Sequence, residues 1–189
     1  MYNRIRKKYS IPSNAKVVLY VGNISKNKNQ LQIVEAFALL PEDVIENTWV
    51  LFCGAETDSS VDLTNVISAV PHSDHLVLCG GIPKEEISEY YNAADAVALL
   101  SISEGFGLSL IEGMHFGLPC MMFADMDAFE DIYDPCAVIP IMERDTASVV
   151  TAMLSLLGRS WDATQIKSYS ERFGNNVMAQ KYLEIYKTV

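Results

Sequence analysis

Short apolar runs alternate with amphipathic stretches along most of this chain, and that alternation limits its fold more than any other feature. Residues 16–22 (KVVLYVG), 49–54 (WVLFCG), 75–81 (HLVLCGG), 95–101 (DAVALLS), 119–124 (PCMMFA) and 136–140 (CAVIP) are apolar nearly throughout. That is the pattern of strands covered on both faces, and it predicts a parallel sheet. Helical spacing fills the gaps. Residues 29–40 (NQLQIVEAFALL) place Leu31, Val34, Ala38 and Leu39 on one face, and Pro41 closes the segment. Residues 59–70 read as a helix stopped by Pro71, and residues 83–94 as one with Pro83 and acids in its first turn. A further helix follows residue 107, and from Glu143 onward only helices are expected, over 147–157, near 161–173 and over 175–186. Strand–helix alternation of this kind makes a doubly wound α/β domain with helices on both faces of the sheet. No repeat, low-complexity tract or linker divides the 189 residues.

Charge and cysteine usage narrow the function classes. The net charge of -10 repels a phosphate backbone, which argues against nucleic-acid partners. A small anion remains compatible with it wherever local donors point inward. Cys53, Cys79, Cys120 and Cys136 form no C-x-x-C pair and mostly fall in apolar runs, so they read as reduced core residues of a cytoplasmic protein. The basic start, MYNRIRKKYSIPS, has no apolar stretch behind it and is not a signal peptide. The apolar runs are too short to span a membrane.

In doubly wound sheets, ligands bind outside the carboxyl ends of the strands where the strand order reverses. Three turns therefore matter. The first, VGNISKNKNQ (residues 21–30), carries Lys26 and Lys28 directly after a buried strand but lacks both the dinucleotide and the P-loop glycine patterns. It is either a solvated loop or an anion-facing one, with Lys28 the first candidate and Lys26 the second. The second turn lies in SISEGFGLSLIEGMHFGLP (residues 101–119), where Gly105 and Gly107 open a helix. Unpaired N–H groups and the macrodipole at a helix start favour an anion by ~0.3–2 kcal/mol. Glu112 lies about 6 Å further along that helix, a suitable reach for ribose hydroxyls if phosphates sit at its start, and Glu104 precedes the turn. The competing reading is a tight strand–helix connection with incidental acids. The third turn contains Asp125-Met126-Asp127, a short acidic match to a divalent-cation site within a loop that also holds Glu130, Asp131 and Asp134. His72 and His75 fall in a loop, and His115 follows Glu112 by three residues; no catalytic triad can be assigned from their order. Phe173, Tyr182 and Tyr186 read as core contacts.

The two-glutamate element around GFGL resembles the donor-site signature of retaining GT-B glycosyltransferases of family 4, the group 1 glycosyltransferases. The first strand, lysine loop and helix (residues 18–40), the segment GGIPKEEISEYYNAADAVALLS and the closing YLEIY are similar to the same family, in the same order. That resemblance implies a Rossmann-like domain, the C-terminal half of a GT-B fold, covering residues 1–189, with roughly residues 1–15 as an interdomain lead-in and the C-terminal helices packed on the domain. It implies a nucleotide-diphosphate sugar as substrate, with no cofactor and no required metal, and an acceptor domain preceding this one; membrane contact is left open. Lys28 matches the family's diphosphate-binding lysine, with Gly22 and Asn23 in the same loop. Gly105, Phe106, Gly107 and Leu108 match the phosphate cradle. Glu112 matches the ribose ligand, Glu104 the residue directed at the donor sugar, and the backbone near Ile82 the wall that receives the base. Glu104 and Lys28 would serve catalysis.

Two positions depart from the family pattern. Asn23 stands where the family usually has arginine, exchanging a charge-assisted hydrogen bond worth ~1.5–3 kcal/mol for a neutral one worth ~0.5–1.5 kcal/mol. Met126-Asp127 replaces a usual glycine pair, with Glu130 in the glutamate position that follows, so side chains are expected where the family presents bare backbone to the sugar.

Overall fold

The structure, a computed structural model, describes residues 4–57 and 63–187, apart from a few side chains in the last helix. Among these residues six strands form one sheet: β1 Lys16–Val21, β2 Thr48–Cys53, β3 Leu76–Gly80, β4 Ala96–Leu99, β5 Cys120–Phe123 and β6 Val138–Ile141. Their order is β3-β2-β1-β4-β5-β6, and every pairing is parallel. β1 sits at the centre with Val17, Val18, Leu19 and Tyr20 fully buried, as an apolar run covered on both faces must be. From β1 the chain winds outward to β2 and β3, then returns to place β4 on the other side of β1. The carboxyl ends of β1 and β4 therefore flank the switch point.

The helices are α1 Arg4–Lys8, α2 Gln30–Phe37, α3 Glu42–Ile45, α4 Leu63–Ser68, α5 Ile87–Ala93, α6 Leu108–His115, α7 Phe129–Ile132, α8 Thr146–Gly158, α9 Ala163–Ser170 and α10 Asn175–Lys187. Asp145 caps α8 by accepting the Ser148 N–H at 2.7 Å, and Asp162 caps α9 by accepting from Thr164 and Gln165. α1 docks on α5: Ile5 is buried, and the Arg6 guanidinium reaches the Ala93 carbonyl at 2.9 Å and Asp95 at 2.7 Å. α8 packs on α2 and α9 on α6. No helix among the described residues is long and apolar enough to cross a membrane.

Several local expectations change. The buried stripe of α2 is Gln30, Ile33, Val34 and Phe37, not the one through Leu31, Ala38 and Leu39. The helix stops at Phe37, tight turns close it through the Ala38 and Leu39 N–H groups, and Leu39 is turned out to 64% exposure. Pro83 sits in a turn ahead of α5, where the Glu86 N–H meets its carbonyl at 2.9 Å, and the helix begins only at Ile87. Of the helix read over 59–70, residues 59–62 lie outside the described set. Tyr186 is 74% exposed and not a core contact; the Tyr182 side chain lies outside the described set, and Phe173 packs edge-on against Phe106. His75 belongs to a 3-10 turn, Ser73–His75, and is buried with its ring stacked on Trp49. All four cysteines are free thiols; Cys53 and Cys120 are buried, Cys79 and Cys136 half-buried.

Candidate functional site

Polar side chains stitch the loop after β1 to the loop after β4. Gln30, almost fully buried on α2, donates to the Gly22 and Asn23 carbonyls at 3.3 and 3.0 Å and accepts the Ser25 N–H, which fixes the shape of the first loop. Tyr20, the last fully buried residue of β1, donates its hydroxyl to the Lys28 carbonyl and accepts the Leu100 N–H at 2.9 Å. Burial raises the pKa of that hydroxyl, so it stays protonated. Asn27 completes the seam: its carbonyl accepts the Ile102 N–H at 2.7 Å, and its amide exchanges hydrogen bonds with the Ser103 backbone at 3.0 and 3.2 Å.

This seam brings Lys28 to the start of α6. The Lys28 ammonium pairs with Glu104 Oε2, and the buried Ser101 hydroxyl donates to the same oxygen at 3.2 Å. Gly22 lies alongside the Lys28 stem with a φ of 153°, a backbone angle that favours glycine. The two charged residues line a cleft of about 330 Å³ with Phe106, Gly107, Leu108 and Glu112. Gly107 occupies the left-handed region at φ 68°, which turns the chain sharply into α6. α6 has no side-chain cap, and the N–H groups of Gly107, Leu108 and Ser109 find no acceptor among the described residues. Gly105 is different: its φ is not positive, and nothing lies within 4 Å of a Cβ built there. Of the two glycines in this turn, Gly107 alone therefore adopts a backbone angle that favours glycine.

Glu112 stands exposed at the rim, one turn into α6, with Oε2 accepting the Tyr91 hydroxyl at 2.7 Å. Burial and this carboxylate both raise the Tyr91 pKa, keeping the hydroxyl a donor. Beside the cleft, an apolar recess of about 390 Å³ lies between α5 and α6, lined by Ile87, Tyr91 and Phe116 and sharing Leu108 and Glu112 with it. Ile82, beyond β3, lines neither cavity, and His115 meets the Ile111 carbonyl rather than Glu112. Asn23 is exposed, with its carbonyl taken by Gln30, and Lys26 is exposed.

Sequence reasoning did not find Tyr20, Gln30, Asn27 or Arg144. Arg144, between β6 and α8, ties three loops. It donates to Asp125 at 2.7 Å and to the Ser101 and Ile102 carbonyls at 3.3 and 3.2 Å, and it lies over the Phe123 ring. The Arg144 guanidinium holds the Asp125 carboxyl below the usual carboxylate range. Met126 is buried, so its side chain does not face the cleft as expected from the replaced glycine pair; Asp127 and Glu130 are exposed. No trio of His, Cys, Asp or Glu side chains suited to a metal occurs among the described residues.

The family described as Glycosyl transferases group 1 matches residues 1–135, most of the chain. The chain belongs to this family. Among curated proteins, the chain is 29% identical over 118 residues to N-acetyl-alpha-D-glucosaminyl L-malate synthase of Bacillus anthracis, covering 62% of this chain and 30% of that protein. It is 32% identical over 120 residues to D-inositol 3-phosphate glycosyltransferase of Corynebacterium efficiens, covering 61% and 28%. Among solved structures, Anabaena HepE, crystallised with UDP and glucose, superposes with a TM-score of 0.83 at 18% identity, over 99% of this chain and 52% of that one. At that identity the likeness concerns the fold: the six-stranded parallel sheet with its flanking helices matches the Rossmann-like half of GT-B glycosyltransferases. The group 1 chain thus spans about half the length of HepE, and its alignments cover under a third of the two curated relatives.

Proposed function

We propose that this chain is the donor-binding, C-terminal half of a retaining glycosyltransferase, which moves a sugar from a nucleotide diphosphate to an acceptor in glycan or polysaccharide synthesis. One observation carries the reading: Lys28 and the unpaired N–H groups opening α6 meet in one cleft at the strand switch. A diphosphate seated there receives a charge-assisted hydrogen bond and several backbone donors. Glu112 then lies one helical turn away for the ribose, Glu104 faces the sugar, and the backbone near Ile82 bounds the base. As the glycosidic bond breaks, negative charge grows on the leaving diphosphate. The Lys28 ammonium and the α6 N–H groups, gathered in the same cleft, lower its energy more than they lower that of the bound substrate. Neither a metal nor a cofactor is needed in this reading, since the cleft supplies positive charge itself and the Asp125 carboxylate is held by Arg144. Four free thiols fit a cytoplasmic location.

The acceptor belongs to a second domain of the kind that makes the relatives longer, so the 189-residue chain alone is expected to bind donor without transferring sugar. Calorimetric titration with UDP, GDP and ADP tests the reading, and folded protein that binds none of them would refute it. Lys28→Ala should weaken a diphosphate far more than its nucleoside, whereas Glu112→Ala should weaken both. Asn23 supports a second reading, a nucleotide-binding domain without catalysis, because no fixed charge occupies its place; Asn23→Arg leaving donor affinity unchanged would favour it.

A further inference from the structure

We infer that Glu104 is a built-in counter-ion for Lys28, one that admits diphosphates carrying a hydroxylated group and disfavours bare ones. The inference rests on the donor-site reading above. Lys28 and Glu104 meet across 76 residues of sequence with side chains only 25% and 19% exposed. Two positive features share that spot, the ammonium and the open start of α6, and a partly buried cation beside a positive helix end is costly without a counter-charge. Glu104 supplies it. The carboxylate is also tethered to its own loop, because the fully buried Ser101 donates to the oxygen that Lys28 holds.

An anion that takes Lys28 must therefore approach a fixed carboxylate. In a partly buried cleft their repulsion is weakly screened by salt. A diphosphate with nothing beyond it leaves that repulsion uncompensated and takes away the carboxylate's partner. A diphosphate that continues into a polyhydroxylated group brings O–H donors to Glu104, which replace the hydrogen bond given up by Lys28. The same side chain thus separates the substrate of a transfer reaction from the nucleoside diphosphate left behind, and it favours departure of the latter.

The test is calorimetric titration of wild type, Glu104→Gln and Ser101→Ala with inorganic pyrophosphate, UDP, GDP, UDP-glucose and GDP-mannose, with urea midpoints read in parallel to establish folding. Glu104→Gln should bind pyrophosphate and the diphosphates roughly fivefold or more tighter, about 1 kcal/mol. The ratio of nucleotide-sugar to nucleoside-diphosphate affinity should fall by a similar factor. Ser101→Ala, which unties the carboxylate, should lower that ratio in the same direction, and it decides the matter if Glu104→Gln fails to fold. Unchanged or weaker pyrophosphate and diphosphate binding by Glu104→Gln would overturn the inference while leaving the donor site standing. If wild type binds no nucleotide at all, the donor-site reading fails by itself, and the pyrophosphate arm alone decides the role of Glu104: a gain supports it and no gain overturns it.

Discussion

Replacing Tyr20 with phenylalanine removes one oxygen from the centre of the molecule and leaves its packing intact. The ring is fully buried, and its hydroxyl is the only side-chain group described that bonds both the Lys28 carbonyl and the Leu100 N–H. Each lost hydrogen bond is worth ~0.5–1.5 kcal/mol net, and withdrawing the partner of an N–H in a fully buried residue adds ~1 kcal/mol or more. The variant should therefore lose about 2–4 kcal/mol, a large share of the ~5–15 kcal/mol that holds a typical domain together. For a chain of this size that is a fall of roughly 4–16 °C in the thermal midpoint. Urea denaturation measures it directly, with an unchanged m-value showing that the buried surface is the same. Tyr169→Phe serves as a control: its half-buried hydroxyl shares its proton between the Ile132 and Tyr133 carbonyls at 3.0 and 3.3 Å and accepts from Arg172 at 3.3 Å, but water can replace these partners near the surface, so the loss should stay near ~0.5–1 kcal/mol. A loss below ~0.5 kcal/mol for Tyr20→Phe, no greater than the control, would refute the claim that this hydroxyl clamps the two loops.

The two glycines of the α6 turn should behave differently. Gly107→Ala forces a Cβ into the left-handed region, 3.0 Å from Ile132 Cδ1, and should cost ~1–3 kcal/mol in thermal denaturation, whereas Gly105→Ala, with open space around it, should stay within ~0.5 kcal/mol. Asp125→Asn should cost no more than ~1 kcal/mol at neutral pH, because the pair with Arg144 is 34% and 58% exposed. The Asp125 pKa is lowered in the folded state, so this contribution is present above the ordinary carboxylate pKa and is lost as pH falls through the lowered value. Urea midpoints of wild type and Asp125→Asn should accordingly differ at neutral pH and converge in acid.

The strands were readable because a doubly covered strand must be apolar, and residues 17–20 or 120–123 admit little else. The placement of Lys28 against the α6 turn was readable for a related reason: both turns follow strands, and only their adjacency had to come from the fold. The seam between them was not readable. Gln30, Asn27 and Tyr20 are ordinary polar residues until β1 and β4 are known to be neighbours, since their partners lie across that pairing. One signal was available: Gln30 falls on the stripe with Ile33, Val34 and Phe37, and a polar residue on a buried stripe needs buried partners. Arg144 gave no signal, because its three acceptors come from loops that only the sheet order brings together. Met126 misled for the opposite reason, a position read as facing outward that the core had claimed.

The strand order also bears on how the chain comes together during synthesis. β1 is flanked by β2 and β4, but β4 begins 75 residues after β1 ends, so one edge of the central strand waits unpaired while the intervening chain emerges. At ~5–20 residues per second that interval lasts several seconds, during which an apolar edge is open to the wrong partner. Ribosome-bound chains cut short before residue 96 should therefore be the most prone to clump.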